Sequence, residues 1–317
     1  MLTTLIPTKN HGIYLDRLLS QFILTDDSPV TQLFICNDGS TDDTEIILQK
    51  YAEDPRVRLF KNSKSIGGIP AMLSMFQHVQ TPYVNILASD DFFYPTQMAR
   101  LLNEMIRNES CIGFGKYCIQ DGDRLIELQH PGWRARFIEG ADDFRTLLAF
   151  DHYMFLGTTI FRKDLLPSYT AKGLPFDLSI ERLVSADGLG EFRGHDWNLA
   201  LELSMLYPHR IYFLDEYIGV FRKVSVQLSS EDVYVRTGRS AYEMALLILR
   251  YLPDYSLRQR FMEIPLFQDA VRNLFNSKIN AISAKELASK NFQHIYKPSI
   301  LAADVLLDSL SHKPSLS

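Results

Sequence analysis

The chain has 317 residues, 46% of them hydrophobic and 22% charged, which is the balance of an ordinary soluble globular protein and enough for one large α/β domain or two modest ones. A formal net charge of −5 excludes a general nucleic-acid binder, which needs a basic face, so an anionic ligand has to be held locally. Three cysteines, Cys36, Cys111 and Cys118, lack metal-ligand spacing and predict reduced thiols. Residues 2–7 start directly as a strand-like run, without the basic segment and apolar stretch of a signal peptide, and no apolar run is long enough to span a bilayer. The expectation is a cytoplasmic protein, at most peripheral at the inner face of the membrane.

Along the chain, residues 2–7 predict a first strand, and Leu15, Leu18, Leu19, Phe22 and Ile23 then recur at helical spacing. Residues 32–37 predict a second strand. It runs into Asn37-Asp38-Gly39-Ser40-Thr41-Asp42-Asp43-Thr44, a glycine turn with helix-capping residues, and Ile46, Ile47 and Tyr51 continue as a helix face. Residues 57–60 predict a third strand, 62–68 a loop, Pro70 a helix start, and 83–87 a fourth strand. Strand and helix alternate four times in about a hundred residues, so a mostly parallel sheet with helices on both faces follows. The first third has the pattern of a nucleotide-binding α/β unit.

Beyond a helix carrying Met98, Leu101, Leu102, Met105 and Ile106, residues 111–119 predict a strand. Asp121-Gly122 predicts a hairpin into residues 124–128, so the sheet becomes mixed. Asp142 and Asp143 open a short helix, and 157–161 is another short strand. Residues 169–192 lack a clear period and are read as a long loop over a site. A helix through Trp197, Ala200, Leu201, Ser204 and Leu206 precedes two short strands at 210–214 and 217–221. From about residue 240 the pattern is helical, with stripes of Met244, Leu247, Ile248 and Tyr251 and of Ile300, Leu301, Val305 and Leu306. These stripes fit core, a homodimer surface or a peripheral membrane contact.

The chemistry concentrates where strands end. Asp38 follows the second strand, Asp90 and Asp91 the fourth, and Asp196 stands in Gly194-His195-Asp196-Trp197. Ligands of open α/β sheets bind at the carboxyl ends of the strands, and carboxylate oxygens suit magnesium or manganese. The residues alone leave a second reading open, in which Asp90 and Asp91 cap the helix near Pro95, Asp38 is a turn residue before Gly39, and Asp196 is an N-cap beside a core Trp197.

Five segments in order resemble the family-2 inverting glycosyltransferases of the GT-A fold. They are Ile6-Pro7-Thr8-Lys9-Asn10, Asn37-Asp38-Gly39-Ser40-Thr41-Asp42-Asp43-Thr44, residues 62–71 with Gly67, Ala88-Ser89-Asp90-Asp91, and His195-Asp196-Trp197. The Ala-Ser-Asp-Asp form is similar to the spore-coat polysaccharide branch. The resemblance covers residues 1 to about 230. It implies a GT-A (Rossmann-like) sheet with a nucleotide-sugar-binding half at 1–110, an acceptor-binding and catalytic half at 111–235, and a C-terminal helical extension at 236–317. It implies a metal-dependent transfer of sugar from a nucleotide-diphosphate sugar, UDP or dTDP, to a glycan or lipid-linked acceptor.

Position by position, the resemblance implies that Asp38 hydrogen-bonds the imide N–H of the donor base and that Asp90 binds ribose hydroxyls or shares the cation. Asp91 would coordinate Mn2+ or Mg2+, and Asp196 would be the general base. Pro7, Thr8, Asn10, Gly67 and Arg222 would complete the donor site. The sequence departs from the family pattern at Ala88, where many relatives carry an acid, at Lys9, often aromatic, at Met72, often Arg, and at Val224, often His. These departures support the alternative of a catalytically impaired nucleotide-sugar-binding protein. A sugar nucleotidyltransferase fits less well, because Thr8-Lys9-Asn10-His11-Gly12 is not its glycine-rich basic loop.

Overall fold

The computed structural model describes residues 1–127, 154–167 and 194–224, together with Glu243, Leu247 and Tyr251. The expected helix at Asp142 and Asp143, the loop at 169–192 and all but these three positions of the C-terminal helical region lie outside the described residues. Contacts divide the chain into two compact units. The described residues of the first are 1–127, 154–167 and 210–224, and those of the second are 194–209 with the three isolated positions.

The described residues of the first unit form a nine-stranded mixed sheet. Strands β1 (Leu2–Thr8), β2 (Val30–Asp38), β3 (Val57–Asn62) and β4 (Tyr83–Ile86) run parallel in the order β3-β2-β1-β4. Central strands of a parallel sheet are covered on both faces, and β1 is accordingly buried along nearly its whole length. Alternate side chains sort to opposite faces. Leu2 and Ile6 join the core cluster that holds Leu15, Leu18, Leu19 and Ile23, from helix α1 (Gly12–Leu18) and the wider π turn Leu19–Ile23 that continues it. Helix α3 (Gly68–Phe76) packs on β1 and β2 with buried Ala71, Met72, Met75 and Phe76, none of which belongs to that cluster. Helices therefore cover both faces, as expected.

Helix α2 (Thr44–Gln49) packs on α1. Helix α4 (Pro95–Arg107) has Met98, Leu101, Leu102 and Met105 buried at helical spacing and packs on strands β6 (Ile112–Asp121) and β9 (Ile211–Lys223). Strand β7 (Arg124–Glu127) closes the expected hairpin on β6, with Gly122 at φ 59° in its turn. Strand β8 (Thr159–Arg162) runs antiparallel between β4 and β6, which makes the sheet mixed where the sequence pattern changes.

Two differences from expectation have local causes. The two short strands at 210–214 and 217–221 are one strand, β9, whose register against β6 slips at Gly115, Lys116 and Tyr117. Asp215, in the slipped stretch, pairs with Lys116 at 2.8 Å, so the polar break in the pattern is a bulge and not a chain reversal. The two-residue strand β5 (Phe92–Phe93) had no signal of its own; it exists because Phe92 and Phe93 pair with Val220 and Gly219 of β9.

In the second unit, helix α5 (His195–Leu206) is buried on most of its surface, and the Tyr251 hydroxyl donates to Asn198 Oδ1 at 2.6 Å. Among the described residues no helix is long and apolar enough to cross a membrane, and all three cysteines are buried and unpaired.

Asn85 sits fully buried in β4, and its amide donates to the carbonyls of Leu156, Gly157 and Thr159 at 3.3, 3.3 and 2.9 Å. It ties the parallel half of the sheet to β8. Replacing it with an apolar side chain of similar size leaves these carbonyls unsatisfied, so Asn85→Leu is expected to lower stability by about 2–4 kcal/mol, measured by urea denaturation. A loss below about 0.5 kcal/mol, the level of an ordinary surface substitution, would show that the three acceptors find other partners.

Candidate nucleotide and metal site

The carboxyl ends of β1, β2 and β4 lie side by side because the three strands are parallel neighbours, with Thr8 opposite Asn37 and Leu5 opposite Ile86. Asn37 shapes the turn after β2. Its Oδ1 accepts from the Ser40 N–H at 3.0 Å, and its amide donates to Glu45 at 2.7 Å. Gly39 stands at φ +68°, and a Cβ there would meet Ser65 N at 2.6 Å. The glycine thus permits both the turn and the close approach of the loop after β3.

That loop is fastened by Asp38, which is only 3% exposed. Oδ1 accepts from Asn62 Nδ2 at 2.8 Å and Ile66 N at 2.9 Å, while Oδ2 accepts from Ser65 Oγ at 2.7 Å and Gly67 N at 3.0 Å. Burial pushes the carboxyl upward, but the donors from Ile66, Asn62, Ser65 and Gly67 outweigh it and hold Asp38 below the usual range. Gly67, at φ 97°, is the N-cap of α3. Asn10, itself left-handed at φ 56°, links the β1 and β2 turns: its N–H donates to Ser40 Oγ at 2.9 Å and its Oδ1 accepts from Thr41 N at 2.8 Å. Asp42 accepts from Gly12 N and Thr44 N, both at 3.1 Å, and so joins the starts of α1 and α2. Pro7 is partly exposed, and Thr8 Oγ1 is buried without a hydrogen-bond partner among the described residues.

Beyond β4 the chain turns at once, the Asp91 N–H donating to the Ala88 carbonyl at 3.1 Å. Asp90 and Asp91 are 6% and 3% exposed. Neither caps α4, whose N-cap is Tyr94, so the capping reading of the pair fails. Burial, and then the neighbouring Asp90 charge, push the Asp91 carboxyl well above the usual range, while the Arg222 N–H, donating to Asp91 Oδ1 at 2.7 Å, pulls the other way. Arg222 reaches this position through β9. Its guanidinium carbon lies 4.9 Å from the centroid of the Tyr14 ring and 5.5 Å from that of Phe92, with Nε donating to Gln120 at 3.3 Å.

His11 Nδ1 is hydrogen-bonded to Ser89 Oγ at 2.7 Å and lies 3.9 Å from Asp90 Oδ1. Among the described residues no three His, Cys, Asp or Glu side chains are grouped to hold a metal. Asp90 and Asp91 do fit a hard divalent cation that takes its remaining ligands from elsewhere, since they are oxygen donors whose buried like charges such an ion offsets.

The structure therefore brings Pro7, Thr8, Asn10, Asp38, Gly67, Asp90, Asp91 and Arg222 into the first unit, on the strand ends and turns expected for them. Asp196 belongs to the second unit, in the first turn of α5, where its Oδ1 accepts from the Trp197 N–H at 2.9 Å; the N-cap is Gly194, and Trp197 is core at 2% exposure. The sequence reading missed His11 and Ser89 as a hydrogen-bonded pair beside Asp90, and Gln120 as the acceptor for Arg222. His11 carried a usable signal, as it directly follows Asn10 in the turn after β1.

A family model described as Glycosyl transferase family 2 matches residues 3–168. A chondroitin synthase of Pasteurella multocida (strain Pm70) is 34% identical over 107 residues, covering 33% of this chain and 11% of that one. Among the curated relatives, matches cover from 11% to 52% of the relative's length. The crystal structure of S. aureus TarS 1-349 in complex with UDP-GlcNAc superposes with a TM-score of 0.60 at 16% identity, over 98% of this chain and 83% of that one. A mannosyltransferase from Pyrobaculum calidifontis in complex with GDP-Man and Mn2+ gives a TM-score of 0.51 at 13% identity, over 98% and 82%. At these identities the two structures bear on the fold, which they share.

Gly39→Ala is expected to cost about 1–3 kcal/mol in urea denaturation, from the left-handed backbone and the contact with Ser65 N; an unchanged midpoint would mean the loop yields freely. Asp91 gives a pH-dependent expectation. Its carboxyl is raised in the folded chain, so its contribution to stability is full below the ordinary value of 3.8 and is lost as pH rises through the raised value. Asp91→Asn does not ionise. In EDTA the variant should match wild type near pH 4 and below, and exceed it at pH 7 by about 0.5–2 kcal/mol. Coincident melting curves at pH 7 would show that the buried charge costs nothing.

Proposed function

We infer, from the fact that the chain belongs to glycosyl transferase family 2, that it moves a sugar from a nucleotide-diphosphate sugar to a hydroxyl of a glycan or lipid-linked acceptor in polysaccharide biosynthesis, inverting the anomeric centre. The observation that carries this reading is the buried Asp90 and Asp91 pair at the carboxyl end of β4, with Asp91 accepting from the Arg222 N–H. Two buried like charges at a ligand-binding strand edge are costly unless a cation joins them. The UDP-GlcNAc of the TarS complex and the Mn2+ of the mannosyltransferase complex are the reasons to try UDP or dTDP conjugates and manganese first.

Asp90 and Asp91 would hold a manganese or magnesium ion, which supplies positive charge for the diphosphate leaving group. Everything else falls to the chain itself. Pro7, Thr8 and Asn10 after β1, with Gly67 at the start of α3, form the donor side. The Thr8 hydroxyl, buried and without a partner among the described residues, is an available hydrogen-bonding group there. Arg222 keeps Asp91 oriented through its backbone, and its guanidinium packs against the Tyr14 and Phe92 rings. Asp196 takes the proton from the acceptor hydroxyl as that oxygen attacks the anomeric carbon from the side opposite the diphosphate. One displacement on one face inverts the centre. The chain could instead bind a nucleotide sugar without transferring it. Met72, 1% exposed on the buried face of α3, favours that second reading to the extent that it offers a donor no polar contact.

Calorimetric titration with UDP, dTDP and GDP, each with manganese and again with EDTA, tests the nucleotide site that both readings share, and donor-dependent turnover then separates them. Manganese-dependent binding of a uridine or thymidine nucleotide, lost in Asp91→Ala, is expected. Failure of all three to bind would remove the donor reading. With a competent donor in hand, Asp196→Asn should lower kcat by about 10²–10⁴ while leaving donor binding intact; unchanged turnover would take the base role from Asp196.

A further inference from the structure

We propose that His11 is a nitrogen ligand of the divalent cation at the Asp90 and Asp91 pair. This rests on the cation reading above and adds a residue to it. His11 is the N-cap of α1, yet its side chain makes no capping hydrogen bond, and imidazole is not among the groups that cap helices well. The first amide of that helix, Gly12 N, is met instead by Asp42 Oδ2 at 3.1 Å. The imidazole lies at the end of β4, where Nδ1 is 2.7 Å from the buried Ser89 Oγ and 3.9 Å from Asp90 Oδ1. The Tyr14 ring backs it edge to face, with centroids 5.7 Å apart.

A separation of 3.9 Å is too long for a hydrogen bond but suits two atoms that share an ion. With metal–ligand distances near 2.1 Å, two ligands of one octahedral ion stand about 3 Å apart when adjacent and about 4.2 Å apart when opposite. His11 Nδ1 and Asp90 Oδ1 fall inside that span as they stand. The Ser89 hydroxyl hydrogen is free to rotate, which releases the Nδ1 lone pair to the ion. As a tie between strands the contact adds little, because β1 and β4 are already paired from Leu2 to Leu5 and the Leu87 N–H donates to the Leu5 carbonyl at 3.0 Å. The His11 side chain is 27% exposed against 9% for Asp90, so an ion reaches the nitrogen from solvent.

Ala88 offers no side-chain donor, and Asp91 Oδ1 is engaged by the Arg222 N–H. No three His, Cys, Asp or Glu side chains are grouped to hold a metal among the described residues. The remaining positions of the ion therefore fall to donor phosphate oxygens and water, and cation and nucleotide should bind together. An imidazole nitrogen also moves preference away from Mg2+, which is suited by oxygen, toward transition metals such as Mn2+ and Co2+.

Pulsed electron paramagnetic resonance on the full chain with Mn2+ and UDP reads the ligand directly. Wild type should show the nitrogen modulation of a coordinated imidazole. His11→Gln should lose it, with Mn2+ binding in calorimetry weakened by about 10–100-fold. Ser89→Ala removes the link between the two turns but leaves the imidazole, so it should keep the nitrogen signal. Should His11→Gln fail to fold, His11→Asp supplies oxygen in place of nitrogen; it should bind Mn2+ without the modulation and narrow the preference for Mn2+ over Mg2+. Bound Mn2+ without nitrogen modulation in wild type, or modulation that survives in His11→Gln, would overturn the proposal and leave the Asp90 and Asp91 cation reading standing. If Mn2+ fails to bind with UDP, dTDP or GDP present, the cation reading itself falls and this ligand falls with it.

Discussion

A buried carboxylate has to be met by something, and this structure meets two of them in opposite ways. Asp38 and Asp91 are equally hidden from solvent, at 3% exposure each. Around Asp38 the chain supplies a full set of neutral donors, and the charge becomes the fixed point on which the β2 turn, the 62–67 loop and the start of α3 are assembled. Around Asp91 it supplies another acid, one backbone donor and the charge of Arg222, and burial still holds the carboxyl well above its usual range. Two equally buried carboxylates pushed in opposite directions by their surroundings make this edge of the sheet a candidate place for binding chemistry.

Much of this was legible in the sequence. The alternation of β-forming runs with helical stripes pointed to β1 to β4 and to their parallel direction, because crossover helices return the chain to the same end of the sheet; the order β3-β2-β1-β4 came only from the structure. Asp90 and Asp91 stood out because a strand rich in apolar residues ended in acid. The partners of these residues did not stand out. Asp38 is met by Ser65, 27 positions away, and Asp91 by Arg222, 131 positions away, and neither periodicity nor spacing encodes a contact of that range. Asn85 was hidden for the same reason. In a run that is otherwise apolar, its hydrogen bonds to the turn before β8 appear only once the two segments are side by side.

Strand β9 shows how pattern can mislead in the other direction. Its polar break at Asp215 and Glu216 looks like a turn between two strands, yet the strand continues, because a bulge absorbs the slip and Lys116 takes up the exposed acid. Continuity matters beyond tidiness. A chain reversal there would have ended the strand before Gly219 and Val220, which give β5 its pairing, and before Arg222, which gives Asp91 its donor.

The Asp91 to Arg222 hydrogen bond also orders events in time. Strands β1 to β4 draw every pairing partner but β8 from the first 86 residues, whereas the acid pair waits for a donor 131 positions downstream. Long-range closures of this kind are slow relative to local pairing. During synthesis, which proceeds from the N-terminus, the parallel half of the sheet can be in place while Asp91 still lacks the strand that supplies its donor. A nascent or truncated chain ending before β9 would therefore carry strands β1 to β4 without the Arg222 contact to Asp91, so that this acid pair reaches its final surroundings only as β9 is added.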